Sequence, residues 1–442
     1  MSVPNDATTV TEPRDVCRVA ARSTEPLGRK ALLTSLTLRA IGDRVAAAWI
    51  VPPLYLHGGD DLAAASISFF DYGNPDAGLA MRSSISQVVL DAEEPSTARG
   101  LARSPTNLYR VFALPGAAAR SITTATDQLS RDDDGNELVE SGDFSAQSAT
   151  VDAGSDDVVA RNIVRGAPFY TRTAFDVTQP FVLGLRTADV GAQPSDEAKF
   201  FAVRGRAAPA NRTRDFWSLP IPAAEVRRAR NPAAALREHV PEGLEIAETT
   251  AGYAIAFRFR GRIFFGWLSR DLQARGPLVP LTTLGGEPGK PRLAARGDEA
   301  VLLLADRPNA DAGPAKYRLV ATRARYGEAP GPFARVETGS DGAFDEFAPS
   351  IADAGDDRWL ILWSYGPLEA NAASDRQDIF ARPFSSALEP TGASLTINQQ
   401  SGSDPRAART SRAGDVVVVW GDGRGLQRSI LSAGVRCERA SR

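Results

Sequence analysis

Apolar positions in this chain fall into short runs, and the runs are of two kinds. Some are nearly continuous, as in "VLLLA" (Val301–Ala305), "WLILW" (Trp359–Trp363) and "VVVVW" (Val416–Trp420). Each is followed by a loop and then by a segment in which apolar and polar residues alternate. A continuous run predicts a strand covered on both faces, and alternation predicts one with a single face against the core. Only "NPAAALREHV" (residues 231–240) reads as a helix, with Asn231 as N-cap and Pro232 at the first helical position.

The runs recur. "PRAARTSRAGDVVVVWGD" (Pro405–Asp422) aligns with Pro349–Ser364, Pro291–Asp306 and Ser35–Ile50, and less closely with Leu244–Phe259. From the leading Pro or Ser to the end of the run is 14 residues in three copies and 15 in the fourth. That place is held by Trp49, Trp363 and Trp420, with Ala305 the exception. Recurrence at one position of a repeated unit predicts that these tryptophans pack between units. The second halves recur as well, each as a strand running into a Pro/Gly turn, in Ser66–Gly78, Gly266–Gly276, Ala321–Gly331 and Ala381–Gly392. Hairpins are expected at "GDGRG", "RFRGR" and "YGEAPG".

Each unit therefore reads as a four-stranded antiparallel meander, which cannot bury both faces alone and must stack on its copies. Continuous strands are expected near residues 45–50, 108–114, 181–187, 253–259, 300–305, 359–363 and 416–420, each the second of its unit. The expected fold is all-β, a single β-propeller of seven four-stranded blades, with six as the alternative because the second unit is poorly patterned. After a tail at residues 1–14, one domain would span 15–442. An acidic insert, Ser130–Asp143, would be a surface loop of the second unit.

The last unit runs out of chain after its third strand. The segment Asp15–Thr24 can supply the missing outer strand, and that exchange would bring Cys17 beside Cys437, the two cysteines of the chain. A disulfide there implies an oxidising compartment. It would close a loop of about 420 residues, for which chain entropy gives an upper limit of about 6 kcal/mol.

These units resemble the degenerate β-propeller repeats of exported bacterial proteins, in which a strand ending in Trp follows a Pro and a glycine turn. The likeness is strongest across Ser35–Gly78 and Leu244–Cys437 and weak across about residues 90–240. It implies an extracellular or periplasmic protein with no assigned activity, a cytoplasmic one being the alternative. The Gly-His and Trp-Asp pairs of WD-type repeats are absent, as is the Ser-x-Asp-x-Gly-x-x-Trp box of sialidases. The kelch double glycine occurs once, at Gly285–Gly286.

Composition changes little. The chain of 442 residues is 43% hydrophobic and 24% charged with a net charge of −3, and its basic residues are scattered, which argues against a nucleic-acid partner. No apolar stretch is long enough for a membrane-spanning helix. The start, "MSVPNDATTV", has no apolar core of the signal-peptide kind.

Candidate chemistry is sparse. "GDGRG" lacks the Lys-Ser/Thr ending of a phosphate loop. His57 lies near Asp60 and Asp61, but His239 is the one other histidine, so no multi-histidine zinc site can form. "SRDDDGNE" offers Asp132, Asp134 and Asn136 as ligands for a weakly held calcium ion, although Ser141 stands where an EF-type loop needs Glu. Otherwise no cofactor is expected. The pairs Asp345–Glu346 and Asp356–Asp357 are read as turn residues. No Gly-x-Ser-x-Gly elbow occurs. Trp217, Trp267 and Trp359 stand outside the repeated position and are free to face a partner.

The sequence thus leads to a non-catalytic monomeric scaffold engaging a protein or glycan by one face of the ring. Two alternatives are a carbohydrate-active hydrolase or lyase using Asp/Glu at a central funnel, and a structural subunit of a cell-surface assembly.

Overall fold

The computed structural model describes the strands that lie between residues 15 and 220 and, more fully, residues 242–308, 316–367, 377–399, 402–410, 412–422 and 427–439. Among these residues the secondary structure is all-β, in antiparallel sheets. Four meanders are consecutive in the chain and separate in space: residues 108–166, 168–220, 242–281 and 345–398 each form a four-stranded sheet. A fifth sheet covers residues 286–335 and counts five strands because its first strand is broken into Gly286–Pro288 and Arg292–Arg296. The sixth sheet has eight strands and contains both ends of the chain.

The continuous runs are strands whose two faces serve two different cores. In Glu299–Pro308, Ala300, Leu302 and Leu304 pack with Ala254, Phe265 and Trp267 of the 242–281 sheet. Val301, Leu303 and Ala305 face the other way, onto Trp359, Ile361 and Trp363 of the 345–398 sheet. That sheet turns Leu360 and Leu362 toward Val416, Val418 and Trp420. Sheets of this kind are stacked face to face, so alternation is hidden when both faces are apolar. Two-residue hairpins close several meanders. Arg260 and Gly261 both have positive φ, as do Asp356 and Asp357, which is the backbone that matches the twist of the flanking strands.

Three sequence expectations are corrected. Leu108–Ala113 is the first strand of its sheet, and the second is Ser121–Gln128, "SITTATDQ", whose hydroxyls conceal it among loop-like residues. Asp345 and Glu346 open the strand Asp345–Gly355, where Glu346 is buried. Trp217, Trp267 and Trp359 are buried too. The Trp217 ring lies on Gly266 of the next sheet, where a Cβ would sit 2.3 Å from it, and its indole N–H donates to the Gly276 carbonyl (3.2 Å).

The first and last described strands meet. Asp15–Arg22 pairs antiparallel with Gln427–Arg439, Cys17 opposite Cys437, and the two cysteines form a disulfide. The N-terminal half of Gln427–Arg439 pairs instead with the start of Gly28–Ile41. A register shift between Leu32 and Thr37 then carries Gly28–Ile41 onto Arg44–Val51. Two buried ion pairs flank this seam. Arg358 Nη1 lies 3.1 Å from Asp15 Oδ1, with side chains 4% and 3% exposed. Arg436 grips Asp415 with two hydrogen bonds of 2.8 and 3.2 Å.

Among the described residues no helix is long and apolar enough to cross a membrane. The expected helix at residues 231–240 and the acidic insert at 130–143 lie outside the described residues, as do residues 1–14 and the "GRG" of the "GDGRG" loop.

Candidate functional site

Register alone builds the site. Glu287 is the cross-strand partner of Arg307, and Asp306 that of Arg318. Carrying the second ladder one residue further sets Tyr317 opposite Arg307. Glu287, Arg307 and Tyr317 thus stand in a row across three adjacent strands, close enough for side chains to meet.

They do meet. The Tyr317 hydroxyl donates to Glu287 Oε1 at 3.1 Å. The second oxygen, Oε2, takes Arg307 Nε at 3.1 Å, and the Arg307 guanidinium lies 5.7 Å from the Tyr317 ring centre. A hydroxyl, a carboxylate within reach of its proton and a cation holding that carboxylate can act chemically as nucleophile, base and orienting group. Burial, then the negative charge of Glu287, pushes the Tyr317 phenol above its ordinary value, so it keeps its proton at neutral pH until a base takes it.

The backbone around the row is fixed from beneath. Tyr317 N–H donates to Asp345 Oδ1 at 2.8 Å, and Glu346 N–H donates to the Tyr317 carbonyl at 3.1 Å. The buried Glu346 carboxylate accepts from Leu319 N–H, the Thr338 hydroxyl and the Ser340 hydroxyl. On the other side, Asp306 is 2% exposed and accepts the Gly285 amide at Oδ2, while its buried Oδ1 has no hydrogen-bond partner. This pins the turn that leads into Glu287. Burial raises the Asp306 carboxyl above the ordinary aspartate value, against that hydrogen bond.

A second tyrosine–carboxylate pair lies nearby. Tyr365 donates to Asp341, which also takes the Ala343 amide, and Phe344 N–H donates to the Tyr365 oxygen at 3.2 Å. The Tyr365 bond holds the Asp341 carboxyl below its ordinary range. Arg318 ties the two pairs together, donating to the carbonyls of Tyr317, Phe344 and Gly342.

The carboxylates expected at a central funnel are otherwise engaged. On the first strands of successive sheets, Glu245 is held by Arg292 (2.7 Å), and Asp353 lies between Arg296 (3.4 Å) and Arg409 (3.0 Å). A cleft of about 950 Å³ opens at the far end of Arg318–Arg325, lined by Arg335, Glu328 and Glu389, with Arg323 paired to Glu299. It holds no hydroxyl–carboxylate pair of the kind at Tyr317.

Of the residues singled out from sequence, Cys17 and Cys437 are joined, and Trp363 and Trp420 are buried between sheets. The side chain of Trp49 lies outside the described residues, and so do Asp132, Asp134, Asn136, His57 and His239. Glu287, Arg307 and Tyr317 were not singled out. Glu287 sits in "GGEPG", which reads as a turn, and its partners are distant in sequence.

No family model matches the chain, and no curated protein does. Several solved structures are similar to this chain at low scores. One is a prolyl endopeptidase at TM-score 0.48 and 12% identity, covering 92% of this chain and 47% of its own, so this chain spans about half that protein's length. Another is the NanB sialidase of Streptococcus pneumoniae, at 0.39 and 7%, covering 99% and 72%. A third is an α-L-arabinofuranosidase of Fusarium graminearum, at 0.40 and 9%, covering 96% and 98%. The expected non-catalytic scaffold is corrected at this point: most of the solved structures of similar form are hydrolases by name, and a hydroxyl–carboxylate pair lies among the described residues. Likenesses of this depth carry no argument about chemistry, which rests here on the side chains.

Proposed function

We propose that the chain is a glycoside hydrolase of the tyrosine-nucleophile kind, with Tyr317 as nucleophile, Glu287 as base and Arg307 as the group that orients Glu287. The observation that carries this reading is the 3.1 Å contact of the Tyr317 hydroxyl with a carboxylate whose other oxygen is 3.1 Å from Arg307 Nε. Most retaining glycosidases attack with a carboxylate, but tyrosine serves in some, with a neighbouring base to remove its proton. In the first step Tyr317 Oη bonds to the anomeric carbon as the glycosidic C–O bond breaks. The phenolic proton passes to Glu287, and the departing oxygen takes a proton from solvent. In the second step water attacks the same carbon and the Tyr317 C–O bond breaks; Glu287 returns its proton to the phenol oxygen, and the spare proton of the water passes to solvent, replacing the one the departing oxygen took. A phenol leaves more readily than an alcohol, so the intermediate turns over.

The scaffold we propose is a seven-bladed propeller. Support comes from the contacts of first strands, which run in succession from Pro168–Phe175 through Leu108–Ala113, Gly28–Ile41, Gly402–Arg409, Asp345–Gly355 and Arg292–Arg296 to Glu242–Glu248. Trp217 against Gly266 supplies the remaining neighbour. The disulfide favours an oxidising compartment, outside the cytoplasm.

The test is hydrolysis of a panel of 4-nitrophenyl glycosides by the full chain. The expected result is turnover of at least one, reduced more than about a thousandfold in Tyr317→Phe and Glu287→Gln. An inert parent, or a Tyr317→Phe variant with unchanged kcat/KM, overturns the reading.

A further inference from the structure

The cleft at the far end of Arg318–Arg325 has a volume of about 950 Å³, and its two walls belong to neighbouring sheets. One wall is the strand Ala334–Arg335 with the turn that follows Arg318–Arg325, and the other is the turn at residues 387–390. The walls are tied together. Arg323 Nη1 donates to the Ser386 carbonyl at 2.8 Å, and Arg382 Nη1 donates across to the Glu337 carbonyl at 2.7 Å. The second turn is braced from within, since the Ser385 hydroxyl accepts the amides of Ala387 and Glu389 at 3.2 Å each. A cleft fixed in this way costs little to order when something fills it.

Its charges set it apart. Elsewhere between sheets arginines meet carboxylates, Arg292 with Glu245 and both Arg296 and Arg409 with Asp353. At the cleft Arg323 is paired with Glu299 at 3.3 Å. Arg325, Arg335, Glu328 and Glu389 also line it, are exposed, and have no ion-pair partner among the described residues. Two cations and two anions therefore border one cavity without neutralising one another. The backbone has a free side as well. Val336 N–H donates inward to the Leu319 carbonyl at 2.9 Å, so alternation along the antiparallel ladder turns the N–H and C=O of Arg335 outward. Ala334–Arg335 is the outermost strand of its sheet, and Pro332 just before it has no amide hydrogen to offer.

We propose that this cleft binds an extended segment of another protein that carries both acidic and basic side chains. A strand laid along Arg335 takes up its free N–H and C=O, and its own alternating side chains reach the charges of the rim. A ligand of one sign meets two like charges, and an apolar one leaves four charges partly desolvated with no partner. The volume lies in the range of clefts that enclose a ligand. Tyr317 stands before the other end of Arg318–Arg325, so this site is separate from the hydrolase reading and does not depend on it.

The probe is a panel of fluorescently labelled short peptides with valine at alternate positions and lysine and glutamate between, in each charge order. The full chain is titrated into each and anisotropy is followed. The expected result is that at least one binds with a Kd on the order of 10–100 μM. Arg335→Glu, Glu389→Lys and methylation of the peptide's backbone amides should each weaken it about tenfold. The chain carrying both charge reversals should prefer a peptide of the opposite charge order. Absence of saturable binding across the panel overturns the proposal, as does equal affinity in the two variants. Displacement of the peptide by free lysine and glutamate, or self-association of the chain that Arg335→Glu abolishes, would give the cleft to another occupant and overturn it too. Glycoside hydrolysis should be the same in both variants, so the peptide site and the hydrolase reading fail separately.

Discussion

The residues of the candidate site are legible only as neighbours. Glu287, Arg307 and Tyr317 belong to no spacing motif, because what unites them is the register of three strands, a property of pairing. Asp306, beside them, shows the same dependence on context. It stands between the apolar run Val301–Ala305 and Arg307, and burial lifts its carboxyl above the ordinary range. A carboxyl raised on folding contributes stability that is complete below its unfolded value and is lost as pH rises through the raised one. Acidification therefore strengthens this contribution while ordinary carboxylates lose theirs. Asp306→Asn cannot titrate, so the Tm of the variant relative to the parent should decline as pH falls from about 7 to about 4. A difference flat across that interval, measured by thermal unfolding, would contradict the burial argument.

At the scale of elements, the continuous runs were the readable signal. "VLLLA" and "WLILW" announce strands with two apolar faces, and the two faces are divided between neighbouring cores. The reading failed where that signal is missing. Ser121–Gln128 occupies the second place in its sheet with threonines instead of valines, so the apolar Leu108–Ala113 took its role on paper. Trp217 was likewise misjudged, since its burial depends on a glycine 49 residues later, Gly266, leaving room for the ring. Gly266→Ala should cost about 1–3 kcal/mol by overpacking, and Trp217→Ala about 3–5 kcal/mol by leaving a cavity. The two should not add. In the Trp217→Ala background the extra methyl has space, so Gly266→Ala becomes nearly harmless there. Urea unfolding of the four chains measures this, and additive effects would mean that the ring and the glycine do not compete for the same volume.

For the molecule as a whole, the joining of head to tail is foreseeable because the last meander lacks a strand and the segment Asp15–Thr24 can supply it. The doubling of the seam is not. Gln427–Arg439 holds Asp15–Arg22 along one half and Gly28–Ile41 along the other, which only a long, shifted strand allows. The seam is held by covalent and ionic means together. Cys17→Ser should lower stability by up to about 6 kcal/mol, the full chain-entropy value for so long a loop. Asp415→Ala leaves the Arg436 guanidinium buried without its carboxylate and should cost about 3–5 kcal/mol. Thermal unfolding with and without reductant tests the first, with no shift counting against it. The same measurement on Asp415→Ala under oxidising conditions tests the second.

The seam also orders events in time. Asp15–Arg22 is made early, but Cys437, the partner of Cys17, lies 420 residues further along the chain. At about 5–20 residues per second, translation keeps the opening segment waiting for about 20–80 s. Until then its hydrogen-bonding edge has no native partner, and its thiol can react with whatever passes. A protein built in this way cannot complete this sheet until Gln427–Arg439 has been made.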